Sequence, residues 1–453
     1  MNANALTELT ARLSGQAIRP GDAEYDTART IWNGTIDRQP SIIVRCSSAD
    51  DVIAAVNFAR VEGMAVSVRG GGHHVAGTSL NNGGMVIDLS QMRNVIVDPA
   101  TKTARAEGGA QLQDLDAAAL AHGLAVPTGL FSETGIGGLT LNGGYGWQSR
   151  LRGLTCDNLI GAEVVTADGK LLQASAEMNS DLFWALRGGG TNLGVVTSFE
   201  YTAHPMPDEV YFVFVAYPIA EARDVLARLR EFHKASPRAV GAIAVLWTFP
   251  ASEPYPEEIW NKQFVGIVGP YIGNADEGER IMQPLRELGG PIFDISGRMP
   301  FGDVQRAFDE EYPQGRRYYW RSTYLNELSV SAIDTMVGLG MRRPSPLTSL
   351  DIWLGGGAVS DIGLRDTPIA HRQAQFMIGI ESNWEGMEND AANIAWAREA
   401  QTLLAPYSTG GSYLNFEDPN DQSRVRAVYG ENYERLQSVK RDYDPGNLFG
   451  TRR

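Results

Sequence analysis

Three glycine-rich loops constrain this chain more than any other feature of its sequence. The first loop, residues 66–77 (VSVRGGGHHVAG), follows a short apolar strand; the second is residues 134–146 (TGIGGLTLNGGYG) and the third residues 187–194 (RGGGTNLG). Glycines let backbone N–H groups converge on one point and let a ligand approach the main chain closely. The three loops therefore predict a backbone cradle that wraps one long cofactor containing a pyrophosphate.

Two other interpretations of the glycines were weighed. A Rossmann dinucleotide site needs G-x-G-x-x-G at the start of a helix, whereas residues 73–84 show no helical period. This interpretation is therefore poor. Alternatively, the glycines serve only as tight turns, although the densest glycine runs among the 50 in the chain fall in these three loops.

Length and composition limit the class of protein. A chain of 453 residues is expected to form two domains, or one large split domain. It has no apolar run of 18 residues and no secretory signal, so we expect no membrane span and a cytoplasmic location. The net charge of −15 argues against nucleic acid as a partner. Cys46 and Cys156 form no metal-type cluster or disulfide framework, so both are expected to be reduced.

The periodicity predicts an α+β protein whose texture changes along the chain. Up to about residue 201 the elements are short and mixed, and residues 162–172 read as a hairpin with an Asp-Gly turn. Beyond residue 205, strands and helices follow in the order expected of an antiparallel sheet covered on one face. The turn-rich texture returns at residue 411. The predicted helices are 6–13, 22–32, 48–59, 111–122, 181–187, 220–234, 275–288 and 429–443; the predicted strands include 40–46, 84–89, 210–216, 242–249 and 263–271.

Several motifs together resemble the berberine-bridge-enzyme-like flavoproteins, which have the vanillyl-alcohol-oxidase or PCMH-type FAD fold. They are VRGGGH (68–73), GIGG (135–138) with GGYG (143–146), DLFWALRGGG (181–190), GVVT (194–197), YLNF (413–416) and YDPGNLF (443–449). The resemblance runs from about residue 24 to the C-terminus. It implies a split FAD-binding domain, residues 1–205 and 411–453, with an inserted substrate domain at 206–410 that has an antiparallel sheet covered by helices.

The resemblance also implies how FAD is held. In the family, the histidine after the glycines bonds covalently to the flavin 8α-methyl group, and His73 matches it. A neutral imidazole nitrogen is a competent nucleophile for this reaction. Phe131 stands where many members carry a second, cysteinyl tether, so we expect a single link. The alternative is that His73 is only a hydrogen-bonded structural residue.

The other residues implied to bind the cofactor lie in the three loops and the tail. His74 is expected to point elsewhere and to line the cradle at most with its backbone. The predicted set is Arg69, Gly70, Gly71, Gly72, His73, His74, Gly77, Thr134, Gly135, Gly137, Gly138, Asn142, Gly144, Tyr145, Gly194, Val195, Val196, Tyr413 and Asn415.

Four residues are predicted to be catalytic: Tyr413, Asp351, Thr134 and Asn415. Tyr413 and Asn415 match the family's active-site Tyr-x-Asn motif, but a phenol with a pKa near ~10 is a weak base and needs a charged neighbour. Alternation places Asp351 and Trp353 on one face of a strand. If that face looks at the flavin, Asp351 and Tyr413 form an acid/base pair; otherwise Asp351 is solvated. By resemblance, Thr134 gates O₂, or is simply a packing residue.

Six aromatic residues are candidates for a substrate pocket and favour a flat or aromatic substrate: Tyr145, Trp147, Trp247, Tyr319, Trp320 and Trp353. We therefore expect a monomeric or homodimeric FAD-dependent oxidase that uses O₂ to oxidise a small aromatic or polyketide-like substrate. The alternatives are a flavin N5-oxygenating monooxygenase of secondary metabolism, a dehydrogenase with another electron acceptor, and a flavin-carrying binding protein without turnover.

Overall fold

The computed structural model describes residues 3–190, 192–418 and 421–450. In these ranges the chain forms a four-stranded sheet, a five-stranded sheet, a two-stranded pair and one large antiparallel sheet. The predicted mixture of helices and sheets is therefore confirmed. No helix in the described ranges is both long and apolar enough to cross a membrane.

The four-stranded sheet has the order β1-β2-β4-β3, with β2 and β3 parallel to β4. Only half of the predicted capping box forms at the start of α3: the Ser48 side chain accepts the Asp51 N–H, but the Asp51 carboxylate does not bond back to the Ser48 N–H. The Asp51 carboxylate accepts the N–H groups of Ser14, Gly15 and Ser47, which fixes the chain before β1. The elements are α1 (Ala3–Arg12), β1 (Gln16–Ile18), α2 (Tyr25–Ala28), β2 (Ile42–Arg45), α3 (Ala49–Val61), β3 (Val66–Arg69) and β4 (Met85–Asp88).

The five-stranded sheet is antiparallel and has the order β5-β6-β10-β8-β9. The predicted Asp-Gly hairpin joins β8 to β9, with Gly169 at φ 78° in the turn. The elements are β5 (Val95–Asp98), β6 (Thr103–Glu107), α4 (Leu112–Leu120), β7 (Leu124–Ala125), α5 (Ile136–Leu141), α6 (Ser149–Arg152), β8 (Leu159–Val165), β9 (Leu171–Ser175), α7 (Ser180–Leu186), β10 (Val195–Thr202) and β11 (His204–Pro205).

The large sheet has the order β15-β12-β14-β13-β18-β19-β17, with β16 also pairing β12. Helices α8, α11 and α13 cover one face, as predicted. The other face is lined with aromatic side chains and looks toward the glycine loops. The elements are β12 (Glu209–Pro218), α8 (Ala222–Ala235), β13 (Ile243–Thr248), β14 (Gln263–Tyr271), α9 (Ala275–Met282), β15 (Phe293–Asp294), β16 (Gly297–Pro300), α10 (Phe301–Val304), β17 (Arg317–Leu325), α11 (Val330–Met341), β18 (Ser349–Leu354), α12 (Ala358–Asp361), β19 (Phe376–Trp384) and α13 (Asp390–Leu404).

Three predicted helices differ from the structure. The helix predicted over 22–32 is limited to the single turn α2 (Tyr25–Ala28), because the backbone leaves the helical conformation at Arg29. The helix predicted over 275–288 ends at Met282 and continues as a 3₁₀ segment, Gln283–Glu287, because Pro284 lacks the N–H that an α-helix needs. The helix predicted over 429–443 is interrupted at Gly430, which has φ 50°. The structure therefore has α14 (Gln422–Tyr429), a 3₁₀ turn and α15 (Tyr433–Tyr443).

The tail packs back on the first half of the chain. Helix α15 contacts α7, and the Lys440 Nζ donates to the Asn192 carbonyl at 2.8 Å. Leu448 and Phe449 are buried in the core beside β3 and β4, and the Val66 N–H donates to the Leu448 carbonyl. The C-terminal residues therefore complete the part of the fold that carries the glycine loops.

Candidate active site

The first and second glycine loops touch through their main chains. A Cβ atom at Gly71 would lie 2.3 Å from the Gly135 nitrogen, and one at Gly135 would lie 2.2 Å from the Gly71 nitrogen. No other residue type fits at either position, because backbone atoms cannot move aside as a flexible side chain can. These two glycines therefore fix the relative position of the loops.

Backbone surfaces without side chains line the space beside this contact. A cavity of about 200 Å³ is lined by the glycines at 70–72, His73, Trp32 and Glu133, among others. Gly138 in α5 is exposed, and a Cβ there would meet nothing within 4 Å. Gly72, Gly77, Gly144 and Gly194 adopt positive φ values of 68°, 64°, 87° and 144°. The loops thus offer the close approach to main chain that a dinucleotide cofactor requires.

His73 is half-buried at the edge of this cavity and belongs to an aromatic stack. Its ring lies 4.0 Å from that of Trp32, which in turn stacks on Tyr318 at 3.7 Å. The Phe131 ring is 6.0 Å away on a nearly parallel plane. Burial lowers the pKa of His73 to about 3, so the imidazole is neutral at physiological pH. A neutral ring nitrogen is the form that can attack an electrophile.

The side chains of His74 and Arg69 hold the first loop in place. The His74 Nδ1 accepts the Ala76 N–H at 3.1 Å, and its ring also hydrogen-bonds the backbone at Leu414. The Arg69 guanidinium donates to the Asp88 carboxylate at 2.5 Å and to the Ala28 carbonyl. The predicted contribution of these two residues to the cradle therefore comes from their backbones, since their side chains are already engaged.

The remaining predicted cofactor residues differ in which of their groups, backbone or side chain, are available to a ligand. Thr134 is half-buried just before α5, and its backbone bonds with Phe131 and Leu112. A Cβ at Gly137 would lie 3.3 Å from the Gly108 carbonyl oxygen, so this glycine allows α5 to pack closely. The side chains of Val195 and Val196 are buried in hydrophobic cores, which leaves only their backbones for a ligand.

Tyr413 is the centre of a hydrogen-bond network that joins the tail to the second loop. Its phenolic oxygen accepts the Tyr145 N–H at 3.2 Å and the Asn415 side-chain amide at 2.8 Å. The Asn415 Oδ1 accepts from the Asn142 side chain at 2.8 Å. Burial raises the pKa of Tyr413 to about 12, so the hydroxyl keeps its proton at neutral pH.

Asp351 lies on the face of β18 that looks toward the second loop. Leu350 and Ile352 point into the helix-covered core, while the Trp353 ring lies 6.3 Å from that of Tyr145. This placement agrees with the predicted alternation. The predicted Asp351–Tyr413 pair does not form, because in the described residues the neighbour of Asp351 is the carboxyl group of Glu381 on β19. Burial raises the pKa of Asp351 to about 7.

The sequence analysis missed two residues of the site. Glu381 is buried, and its Oε2 accepts the Tyr312 hydroxyl at 2.9 Å. A single carboxylic acid within the otherwise uncharged strand FMIGIESNW is a signal that could have identified Glu381. Tyr312 follows a short 3₁₀ turn in a loop, and no sequence pattern indicates it.

Four of the six candidate pocket aromatics belong to one buried cluster: Tyr145, Trp147, Trp320 and Trp353. The prediction was wrong for the other two. Trp247 packs on Phe264 in a separate cluster. Tyr319 lies beneath Arg321 and Arg398, on the face opposite Trp320, because neighbouring residues of a strand point to opposite faces.

Residues 301–316, which we call the cover segment, join β16 to β17 but are fastened to the glycine-loop half of the molecule. The Gln305 side chain donates to Asp116, to Thr128 and to the Gly129 carbonyl, at 3.1 to 3.2 Å. The Ser132 N–H donates to Asp309, and the Trp32 indole donates to the Tyr312 carbonyl. The cover segment therefore closes the aromatic cluster on one side.

Comparison with known proteins shows which families this chain resembles. Residues 40–175 match the FAD binding domain family, and residues 412–453 match the family described as berberine and berberine like. An FAD-linked oxidoreductase of Dictyostelium discoideum is 30% identical over 98% of this chain and 95% of its own length. The (R)-6-hydroxynicotine oxidase of Paenarthrobacter nicotinovorans is 31% identical, covering 96% and 95%. A glucooligosaccharide oxidase of Sarocladium strictum is 29% identical, covering 94% and 89%.

A solved structure supports the same placement. The crystal structure of 6-hydroxy-D-nicotine oxidase from Arthrobacter nicotinovorans is 30% identical and has a TM-score of 0.85, with 96% of each chain covered. The protein is thus an FAD-linked oxidoreductase. Within that class, it belongs to the berberine-bridge-enzyme-like family of oxidases. The glycine-lined cavity and the neutral His73 beside it fit the cofactor of this family.

Proposed function

We propose that the protein is an oxidase that holds FAD through one covalent bond to His73 and oxidises a small organic substrate with O₂. The observation that carries this proposal is the neutral His73 imidazole beside the glycine-lined cavity. Phe131, which has no nucleophilic atom, lies next to His73 and supports a single tether. When bound, FAD accepts two electrons from the substrate and passes them to O₂.

The chain divides its tasks accordingly. Residues 1–205 and 411–453 hold FAD, and residues 206–410 supply the substrate sheet. The backbones of the first and second loops cradle the cofactor, and Asn142, Tyr145, Tyr413 and Asn415 complete the wall around it. Both cysteines are buried free thiols, which is compatible with the cytoplasmic location predicted from the sequence.

Asp351 is our candidate for the base that takes a proton from the substrate. Its side chain is buried on the face of β18 that looks toward the second loop. Tyr413 stays protonated and can donate a hydrogen bond, while Asn415 orients its hydroxyl. Asp351 and Tyr413 therefore act separately on the substrate, one as acceptor and the other as donor.

The walls favour a flat substrate with few polar groups. Trp320, Trp353 and Phe416 provide apolar ring surfaces. Among the described residues, the buried polar atoms without a partner in this region include the indole N–H groups of Trp147 and Trp353, the Ser349 Oγ and the Arg343 Nε. An oligosaccharide would bury many hydroxyl groups without partners on such walls, and each unpartnered hydroxyl is costly. A heterocycle such as 6-hydroxynicotine, the compound in the name of the related oxidase, has few polar groups that these walls would leave without a hydrogen-bond partner.

Acid precipitation of the purified yellow protein tests the tether. We expect the flavin to stay with the wild-type pellet, to be released from His73→Ala and to stay with the exposed-histidine control His122→Ala. Release of the flavin from the wild type would contradict the covalent bond. A colourless preparation would contradict the flavoprotein itself.

Reaction with air tests the electron acceptor. The enzyme is first reduced anaerobically with 6-hydroxy-D-nicotine or, if that fails, with a member of an aromatic alcohol and amine panel. Rapid reoxidation with one H₂O₂ formed per substrate supports an oxidase. Transfer of oxygen to the product without H₂O₂ would favour an oxygenase, for which Thr134 is the candidate oxygen-binding residue. Slow reoxidation would favour a dehydrogenase.

A further inference from the structure

The carboxyl groups of Asp351 on β18 and Glu381 on the adjacent strand β19 meet because Gly379, the residue of β19 opposite Asp351, has no side chain. In the β18–β19 ladder, Asp351 is directly opposite Gly379, and Glu381 is two residues further along on the same face. A Cβ at Gly379 would lie 3.2 Å from the Glu381 Oε1 and 3.5 Å from the Asp351 Cβ. The glycine thus leaves the space in which the two carboxyl groups hydrogen-bond to each other.

Two buried carboxyl groups in contact do not both ionise, because the second charge would be repelled by the first and has no water to solvate it. The pair therefore retains one proton at neutral pH. The groups that face the pair decide where this proton resides. Arg343, whose guanidinium is hydrogen-bonded to the Gly340 carbonyl and to Thr248, acts electrostatically on Asp351 and favours its ionised form. Ser349 is the polar neighbour on β18 itself.

Tyr312 reaches the pair from the cover segment. Its hydroxyl donates to the Glu381 Oε2, which leaves the Oε1 of Glu381 on the side of Gly379 and Asp351. The directions of the pKa shifts are consistent with an asymmetric pair. Burial and the charge of Asp351 raise the pKa of Glu381 well above its usual range. Burial raises the pKa of Asp351 only to about 7, because interactions with the side chains of Ser349 and Glu381 and the charge of Arg343 lower it.

We propose that Glu381 is a positioning residue that carries the shared proton and donates it in a hydrogen bond to Asp351, so that Asp351 is the ionised member of the pair. Tyr312 is a second positioning residue, which holds Glu381 in the orientation needed for this bond. The inference rests on the proposed role of Asp351 as base. It adds that Tyr312, a residue of the cover segment, orients the carboxyl group that hydrogen-bonds to the base. The cover segment is in turn hydrogen-bonded to the FAD-binding half.

Infrared difference spectroscopy of the yellow holoenzyme tests the proposal without a substrate. The carbonyl stretch of a protonated carboxylic acid is recorded between about pH 5 and pH 9. We expect the wild type to show two acids that lose their protons with midpoints near 7, Asp351 and Asp116, and a further acid that stays protonated at the upper end. Asp351→Asn should remove one of the two titrating bands and Asp116→Asn the other, Glu381→Gln should remove the persistent band, and Glu388→Gln, on the exposed surface, should remove none.

Two further variants separate positioning from a general structural effect. In Glu381→Gln, the amide N–H still donates to Asp351, so the midpoint should stay near that of the wild type or fall. In Glu381→Leu, Asp351 remains buried without its donor, and the midpoint should rise by at least about one unit. Tyr312→Phe should shift the frequency of the persistent band without removing it, because only its hydrogen bond is lost.

Several outcomes would overturn the proposal. They are the absence of a persistent acid band in the wild type, its loss in Asp351→Asn instead of Glu381→Gln, and equal midpoints in Glu381→Gln and Glu381→Leu. None of these measurements depends on turnover. The oxidase proposal can therefore fail in the oxygen experiment while the shared proton is still observed. Equally, the shared proton can be absent from the infrared spectrum of an enzyme that the oxygen experiment shows to be an oxidase.

Discussion

The buried ion pair between Arg372 and Asp157 makes a strong prediction about how the site is held together. The guanidinium donates to both carboxylate oxygens, at 2.9 and 2.7 Å, and the two side chains are 0% and 3% exposed. Asp157 also accepts the Leu154 N–H. The neighbouring Thr155 and Cys156 N–H groups donate to the carbonyls of Gly144 and Gly143, so the pair supports the loop that presents Tyr145 to Tyr413.

Replacing Arg372 by methionine keeps most of the side-chain volume but leaves Asp157 charged, buried and without its cation. Removing one member of a buried pair costs about 3–5 kcal/mol, because the remaining charge stays desolvated. We expect a loss of this size in the free energy of unfolding for Arg372→Met, measured by urea denaturation. The double variant Arg372→Met/Asp157→Asn should be more stable than Arg372→Met alone, since it buries no uncompensated charge.

The same variants should affect the site. Arg372→Met is expected to loosen residues 143–145 and to lower the fraction of purified protein that carries flavin. Arg238→Met, which breaks an exposed pair with Asp361, serves as the control and should change neither stability nor flavin content measurably. A cost below about 1 kcal/mol for Arg372→Met, or a double variant that is less stable than the single one, would refute the reasoning.

Three further predictions follow from single contacts. Gly71→Ala should abolish flavin incorporation, because the new Cβ would lie 2.3 Å from the Gly135 nitrogen; absorbance at the flavin bands measures this. Tyr413→Phe should retain flavin but slow its anaerobic reduction, measured by stopped flow, by at least about 100-fold. This factor is the lower end of the rate contribution typical of a positioned proton-transfer group. Burial raises the pKa of Asp116 to about 7, above about 3.9 for an unfolded chain, so this group costs stability as the pH rises through this interval. Asp116→Asn should therefore raise the melting temperature more at about pH 8 than at about pH 5.

Each of these predictions has a control or a contradicting result. Gly338→Ala, where a Cβ meets nothing within 4 Å, should behave as wild type; if Gly71→Ala also binds flavin normally, the loop contact is not needed. Unchanged reduction in Tyr413→Phe would remove this hydroxyl from the reaction. An equal gain at both pH values would show that the pKa of Asp116 is not raised in the folded protein.

The sequence by itself determined much of this protein. Glycine loops and period-2 alternation are local signals, because the conformational freedom of glycine and the pleat of a strand act within a few residues. They identified the loop that carries His73, the hairpin at residues 162–172 and the face of β18 that carries Asp351, whereas the roles of His73 and Tyr413 came from the resemblance to a known family. The break of the predicted helix at Pro284 was also readable in principle, since a proline has no N–H to continue it.

Only the tertiary structure decided which of these residues meet. Asp351 faces Glu381 because Gly379 leaves room between adjacent strands, and strand order is set by contacts between residues far apart in the chain. Tyr312 reaches the same pair because the cover segment is fastened to the other half of the molecule. Tyr319 is on the face of the sheet opposite Trp320. Trp247 is on the same face as Ile243 but lies further along β13, in a separate cluster with Phe264. Local patterns specify the elements, whereas the partners of a buried charge depend on how those elements pack.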